Sequence, residues 1–397
     1  MQPARSAPVT ELRHLDLAAV LAVIGAFALS MGYAYPAIAL TMQARGLSET
    51  VIGVLAAVQG FGVLASALLL PAMTHRFGAW RLVTVSLTAT AATIALLGVT
   101  DRLEAWFVLR FLLGCGANVL FVTCEVWINV LAPDAVRGRI IGIYTTVISA
   151  MFAIGPLLVP LIGYEGLRGF GTVAVLFLLL GLPVLRLKAA QAPTEKAPFS
   201  EYPRVVAAIP VLLMAVATFS FFDGAVLALW VVYGVGRELT GSGAALSLAV
   251  LVAGNIVLQF PIGWLADRMS RRLLLGLLSA LACAGALLLP QFSLSHPLTH
   301  VFLFFWGAIG FGVYTIAVTL IGQYLTGSRL VAANSAFGIM WGIGSMLGPV
   351  AAGAAMERFG GTGLPLSIAV AYALLTLLAA AMPPIRDSLR RLERQRP

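Results

Sequence analysis

Arg110, Gly114, Asn118, Phe121 and Glu125 recur at spacings of four, four, three and four within one long apolar run, which sets them on one face of a helix. A guanidinium there stays charged, so this face must look onto a protein interior or water, where Arg110 can close a gate or take part in proton coupling. Asp223, in Phe221-Phe222-Asp223-Gly224, is the acid set well inside an apolar run of the second half. It could carry a proton or anchor a cationic solute. A fixed ion pair with Arg110, or a place nearer the outer interface, would leave it structural. Glu125 lies toward the end of its run that leads to Arg137 and Arg139, a spacing suited to a gate ion pair and, secondarily, to proton carriage.

Other amides in apolar runs are Gln59, Asn129, Asn255, Gln259, Gln323 and Asn334. Amides between helices could serve only to hold helices together. Their distribution argues for more, because, apart from Arg81 and Arg186 at their ends, every third apolar run in chain order carries neither a charge nor an amide. That pattern is expected if four helices form an outer layer around a polar path. Tyr33, Gln59, Asn118, Phe121, Gln259, Tyr314 and Trp341 are the expected solute lining, with ordinary helix packing as the competing role of the aromatic members.

The elements that must position these residues follow from composition. Of 397 residues, 60% are hydrophobic and 10% charged, with a mean hydropathy of +0.98, whereas soluble domains carry about 25% charged residues. Lipid is the solvent that suits such a chain, and spans in lipid must be helices. Apolar runs predict spans near 16–40, 48–74, 81–99, 104–131, 139–163, 170–187, 205–233, 243–267, 273–290, 297–325, 330–356 and 364–382. The expected fold is an all-α membrane protein, with twelve transmembrane helices in two pseudo-symmetric six-helix bundles. Residues 1–187 form the first bundle, 188–204 a proline-bearing polar linker with both lysines, and 205–397 the second bundle with its tail. Of 25 Lys and Arg, Arg45, Arg102, Arg168, Arg237 and Arg358 fall on one side and Arg110 within the membrane. All others fall on the side of the termini, which are therefore expected to be cytoplasmic.

The net charge of +9 is scattered between apolar runs rather than gathered in a stripe, so nucleic acid is not an expected partner. Cys115, Cys124 and Cys283 lack ligand-like spacing. His14, His75, His296 and His300 sit in tails or loops without catalytic partners, and no GxxxxGK[ST] phosphate loop occurs. No metal, cofactor or enzyme activity is expected.

The halves echo each other at a shift of 192 to 193 residues: His75-Arg76-Phe77-Gly78 on Asp267-Arg268-Met269-Ser270, Gly114 on Gly307, and Gly155-Pro156 on Gly348-Pro349. Internal repeats of this kind are a mark of transporter folds. Gly263-Trp264-Leu265-Ala266-Asp267-Arg268 followed by Arg271-Arg272 resembles the signature loop of the major facilitator superfamily. The first copy, with Arg76, Gly78 and Arg81, has His75 where an Asp is typical. Arg110 to Ala117 resembles the family's fourth-span arginine motif, which the resemblance associates with proton coupling. Gly155-Pro156 resembles part of the antiporter motif. Gln259 to Trp264, Asp223-Gly224-Ala225 and Val331 to Asn334 are similar to the YcaD-like branch. The resemblance implies a monomeric secondary transporter of a bacterial inner membrane, working by alternating access. Arg76, Arg81, Arg137, Arg139, Asp267, Arg268, Arg271 and Arg272 would be gate residues, and protons and a small amphipathic or lipophilic solute the partners. Proton-coupled efflux is the expected direction, import of a small metabolite the rival, and a non-transporting membrane sensor or scaffold the alternative of a different class.

Overall fold

The computed structural model describes residues 9–132, 136–187, 201–325 and 327–381; most of the expected linker and the tail lie outside the described residues. Among those residues the chain is helical without a β-strand. In order come α1 (Val9–Ala44), α2 (Glu49–Phe77), α3 (Ala79–Leu97), α4 (Leu103–Leu131) and α5 (Arg137–Ile154). A 3-10 turn, Gly155–Leu158, carries α5 into α6 (Val159–Ile162), and a π turn, Leu167–Gly171, opens α7 (Thr172–Gly181). Then follow α8 (Glu201–Ala208), α9 (Pro210–Val235), α10 (Gly241–Arg268), α11 (Arg271–Leu288), α12 (Pro297–Tyr324), α13 (Gly327–Phe359) and α14 (Gly363–Ala381).

Eleven stretches of the described residues are long and apolar enough to cross a bilayer. The last, Ala332–Ala381, is two helices, α13 and α14, broken at Gly360–Thr362, where Gly360 has a φ of +60°. Twelve spanning helices result among the described residues, as hydropathy predicts. The turn between α2 and α3 rests on Gly78, whose φ of +81° is costly for other residues. The π turn 167–171 shows why a hydropathy window alone misreads the start of its span: the last turns before α7 are wound differently.

The chain forms two compact units, one of residues 1–37 with 62–193 and one of 38–61 with 194–397. The second takes in the end of α1 and the beginning of α2, which the division by chain order would assign to the first bundle. Within this second unit, Gly53 of α2 lies against the Pro349 carbonyl, Gly60 against Met346, and Gly353 of α13 against the Glu49 carbonyl. Without a hydrophobic driving force between helices in lipid, small residues let backbones approach closely and gain dispersion contacts. Glycine is therefore what makes α13 and α2 pack so tightly.

The same device recurs at equivalent places in both units. In the first, a Cβ on Gly62 of α2 would stand 2.2 Å from the Phe111 carbonyl oxygen of α4. In the second, a Cβ on Gly254 of α10 would stand 1.8 Å from the Phe304 carbonyl oxygen of α12. A Cβ on Gly32 of α1 would stand 2.2 Å from the Phe152 carbonyl oxygen of α5, and one on Gly224 of α9 2.9 Å from the Ser345 carbonyl oxygen of α13. Each pair of positions is related by the 192 to 193 shift, so the internal repeat extends to the contacts that hold each unit together.

Indole N–H groups are also satisfied inside the units. Trp80 Nε1 donates to the Val184 carbonyl at 3.0 Å, Trp306 Nε1 to the Ala282 carbonyl at 3.0 Å, and Trp230 Nε1 to Ser247 Oγ at 2.9 Å. Each ties two helices together with a polar group that would otherwise be stranded.

Candidate functional site

In the first unit the polar residues gather on α4. Arg110 is only 2% exposed, and its guanidinium lies over the Tyr35 ring of α1, 5.4 Å from the centroid. A cation over an aromatic face is stabilised by the ring quadrupole, so α1 supplies the cradle for the charge on α4. Asn118 is buried two turns along, and its Nδ2 has no hydrogen-bond partner among the described residues. Phe121 is 38% exposed and leans on Phe27 of α1, centroids 6.3 Å apart. Glu125, one turn further, is exposed. Tyr33 is fully buried: its hydroxyl donates to the Gly163 carbonyl at 2.9 Å and its ring meets Phe170 edge-on at 5.8 Å. It braces α1 against the turn before α7.

In the second unit the polar groups are shared among three helices. On α10, Gln259 Nε2 donates to Asn255 Oδ1, and from α12 the Thr315 hydroxyl donates to Gln259 Oε1. The result is a chain of amides running from α12 onto α10. Tyr314, the neighbour of Thr315, turns the other way and stacks on Phe219 of α9, with centroids 4.6 Å apart and planes at 28°. Phe311 meets the same Phe219 ring edge-on at 6.0 Å. Tyr314 is 37% exposed, and Val318 one turn on is exposed as well. α12 thus shows an open strip at Tyr314 and Val318, beside its contacts with α9 and those with α10, apart from the exposed Leu298, Val301 and Phe305 nearer its start.

Asp223 lies one turn beyond Phe219 on α9 and is half-buried. Among the described residues no hydrogen bond or ion pair engages its carboxylate. On the far side of the same helix, Gly224 packs against Ser345 and Pro349 of α13. Trp341 of α13 is half-buried, and Gln59, placed in the second unit, is buried.

Of the expected gate residues, Arg76, Arg81, Arg139, Asp267 and Arg268 are exposed and Arg271 and Arg272 half-buried. Arg76 and Arg81 are exposed, with Arg76 over the Phe77 ring at 5.3 Å. Arg139 is exposed at the start of α5, and the side chain of Arg137 lies outside the described residues. In the second unit the loop is internally tied. Arg271 Nη2 meets Asp267 Oδ1 at 3.1 Å, its Nη1 donates to Gln323 Oε1 at 2.9 Å, and its Nε donates to the Ala266 carbonyl at 3.2 Å. Arg268 lies over Trp264 at 3.7 Å, and Arg272 Nη2 donates to the Ala379 carbonyl of α14 at 3.0 Å. Arg271 thus locks the start of α11 to α10 and α12, a rigid corner rather than a floppy charged loop.

Three residues that the sequence reading left out of the lining belong to these arrangements: Phe27, Phe219 and Thr315. The repeat offers a signal for the first two, since Phe27 and Phe219 correspond at the same shift that relates Phe121 to Tyr314.

Twelve apolar helices, repeated glycine crossings and scarce polar groups collected on a few helix faces define a polytopic membrane transporter. The chain belongs to the Major Facilitator Superfamily, whose family description matches residues 20–312 and 211–397. It is YcaD-like. The uncharacterised MFS-type transporter YfkF of Bacillus subtilis (strain 168) is 27% identical over 359 residues, covering 87% of this chain and 89% of the relative. The uncharacterised MFS-type transporter YcaD of Escherichia fergusonii is 26% identical over 337 residues, covering 82% and 85%. Among solved structures, a bacterial homologue of the human lysosomal transporter Spinster, inward-facing and unoccupied, superposes with a TM-score of 0.78 at 15% identity, covering 98% of this chain and 99% of that one. The nucleoside transporter NupG gives 0.74 at 13% identity, covering 95% and 99%. At these identities the solved structures speak for the fold. The protein is an integral membrane secondary transporter, and not an enzyme.

Proposed function

We propose that the protein moves a small amphipathic or lipophilic organic solute outward in exchange for protons, by alternating access. The observation that carries this reading is Asp223: a carboxylate at span depth, half-buried, with no hydrogen bond or ion pair among the described residues, on a helix otherwise lined by Phe219, Phe221 and Phe222. An acid so placed in a membrane costs free energy unless it works. Proton binding and release is work that an acid can do there and an amide cannot. Arg110 and Glu125 on α4 are the further members of the proposed proton path. Gln59, Asn118, Phe121, Gln259, Tyr314 and Trp341 are the proposed lining, with Tyr33 as the brace that holds α1. The basic residues at the helix ends, Arg76, Arg81, Arg137, Arg139, Arg268, Arg271 and Arg272, with Asp267, form the proposed cytoplasmic gate. Both termini are placed in the cytoplasm on the loop-charge bias, and a monomer in a bacterial inner membrane is the proposed setting.

Proteoliposomes loaded with the pH dye pyranine test the coupling. Adding a transported solute outside should alkalinise the lumen, because a proton leaves as the solute enters, and Asp223→Asn should abolish the signal. Acidification would establish symport and hence the importer reading. Solute exchange without proton movement in either direction would remove the coupling role altogether.

A further inference from the structure

Resting on the transporter reading, the second unit specifies its solute more narrowly than amphipathic character alone. α12 is the pivot. Tyr314 and Thr315 are consecutive on it, one leaning on Phe219 of α9 and the other on Gln259 of α10. A ring surface and a chain of amides therefore border the same open strip. Phe219 braces the Tyr314 ring at 4.6 Å and Tyr314 is 37% exposed, so the pair presents aromatic surface to the strip against which another flat ring can pack.

The hydrogen-bond polarity of the amide chain narrows the choice further. The Gln259 carbonyl accepts from Thr315 and the Asn255 carbonyl accepts from Gln259, so each carbonyl already holds one of its two possible bonds within the protein. The Asn255 amide NH2 and the second Gln259 N–H, three donors in all, hold none among the described residues. The edge of a bound solute on this side is therefore best matched by acceptors, such as a carbonyl or a ring nitrogen. On the other side of the strip stands Asp223, one turn from Phe219, about 5–6 Å along the same helix face, with Tyr372 of α14 as an electrostatic neighbour and a carboxylate that no hydrogen bond or ion pair engages among the described residues. Its natural counterpart is a cationic nitrogen.

We propose that this strip of the second unit binds a flat aromatic solute that carries a hydrogen-bond acceptor at one edge and a protonated amine at the other. The ring stacks on Tyr314, the acceptor takes the Asn255 and Gln259 N–H groups, and the amine pairs with Asp223. The corresponding positions of the first unit lack this set: Val63 and Ala67 stand where Asn255 and Gln259 do, Val122 where Thr315 does, and Met31 where Asp223 does. The recognition is thus a property of one half of the repeat.

The test is isothermal titration calorimetry on the full-length protein in detergent at neutral pH, with no gradient. The probes are procainamide, which joins a flat ring, a carbonyl and a protonated amine, and two homologues with the amine chain shortened or lengthened by one carbon. Benzamide has the ring and carbonyl without the charge, and triethylammonium the charge without the ring. At least one of the three charged benzamides is expected to bind tenfold or more tightly than benzamide, and triethylammonium without saturation. Asp223→Asn should reduce that probe to benzamide's affinity. Tyr314→Ala should weaken the probe and benzamide alike by about tenfold, and Tyr314→Phe should restore both. Each variant is carried forward only with a wild-type melting temperature, and Tyr314→Phe and Asp223→Asn are the near-isosteric members that keep the test open if Tyr314→Ala does not fold. If none of the charged benzamides outbinds benzamide, or if their affinity survives Asp223→Asn, the assignment is overturned. Proton movement with some other solute in the pyranine assay would then leave the transport reading in place.

Discussion

The two units share a scaffold and differ in chemistry. Gly62 on Phe111 and Gly254 on Phe304, Gly32 on Phe152 and Gly224 on Ser345, and Phe27 with Phe121 and Phe219 with Tyr314 are the same contacts made twice. Backbone approach in lipid leaves little freedom, since a Cβ at any of these glycines would overlap a neighbouring backbone. Polar groups are under no such constraint and have diverged. The first unit concentrates Arg110, Asn118 and Glu125 on α4, whereas the second spreads Asp223, Asn255, Gln259 and Thr315 over three helices. Even the shared aromatic pair has separated, tilted at 54° in one unit and near-parallel at 28° in the other. A repeated frame can thus hold a buried cation in one half and an acid with an amide chain in the other.

The largest expected effect falls on the frame and should be equal in both units. Gly62→Val and Gly254→Val each force a side chain into a backbone carbonyl, and overpacking of this kind costs about 1–3 kcal/mol or more. Both should lower the melting temperature by many degrees or prevent folding, whereas Gly263→Val and Gly276→Val, with nothing within 4 Å of an added Cβ, should change it little. Scanning fluorimetry on the four purified variants reads this directly. A large loss in one half alone would break the equivalence.

The next effects should be unequal. Asp223→Asn is expected to lower pH-driven solute accumulation at least tenfold, and Asn118→Asp, which adds an acid to the first unit, should not restore it when combined with Asp223→Asn. Uptake of labelled solute under an imposed pH gradient measures both. Tyr314→Ala should weaken solute binding by more than Phe121→Ala does, because the supported stack contributes about 0.5–1.5 kcal/mol and the tilted Phe27–Phe121 contact offers a poorer platform. Titration of both variants with one solute checks the order. The smallest effect concerns the exposed corner. Asp267→Asn removes an ion pair whose carboxylate is 71% exposed, and such pairs contribute about 0–1 kcal/mol. Its melting temperature should stay within a degree or two of wild type, since Arg271 keeps its bonds to Gln323 and the Ala266 carbonyl.

The spans were legible because lipid imposes one rule on every residue it touches, and hydropathy reads that rule directly. The repeat was legible at Gly114, Gly155-Pro156 and the loop after α2, where glycine, proline and charge are rare enough to stand out. At Phe27 and Phe219 the shift relates the two, but aromatic residues are common throughout such a chain, and it takes the ring contacts to show that the match matters. Thr315 escaped for a different reason. Threonines in membrane helices usually bond their own backbone, as Thr319 does to the Thr315 carbonyl at 2.7 Å, so sequence cannot mark the one that reaches a neighbouring helix. Tyr33 was conspicuous beside Pro36, yet the hydroxyl that drew notice is spent on the Gly163 carbonyl, 130 residues away. Hydropathy finds polar groups; it does not tell which are already occupied.

The central claim is that the face of α10 and α12 bearing Asn255, Gln259 and Tyr314 meets water and not acyl chains. Single cysteines, placed in a protein whose Cys115, Cys124 and Cys283 have been replaced, test it when challenged in intact membranes with a charged, water-soluble maleimide. Asn255→Cys, Gln259→Cys and Tyr314→Cys should label, while Val257→Cys and Phe260→Cys, on the opposite face of α10 and in the case of Phe260 81% exposed, should not, because a lipid-facing thiol stays protonated and beyond reach of the reagent. Labelling at 257 and 260 with none at 255, 259 and 314 would contradict the account.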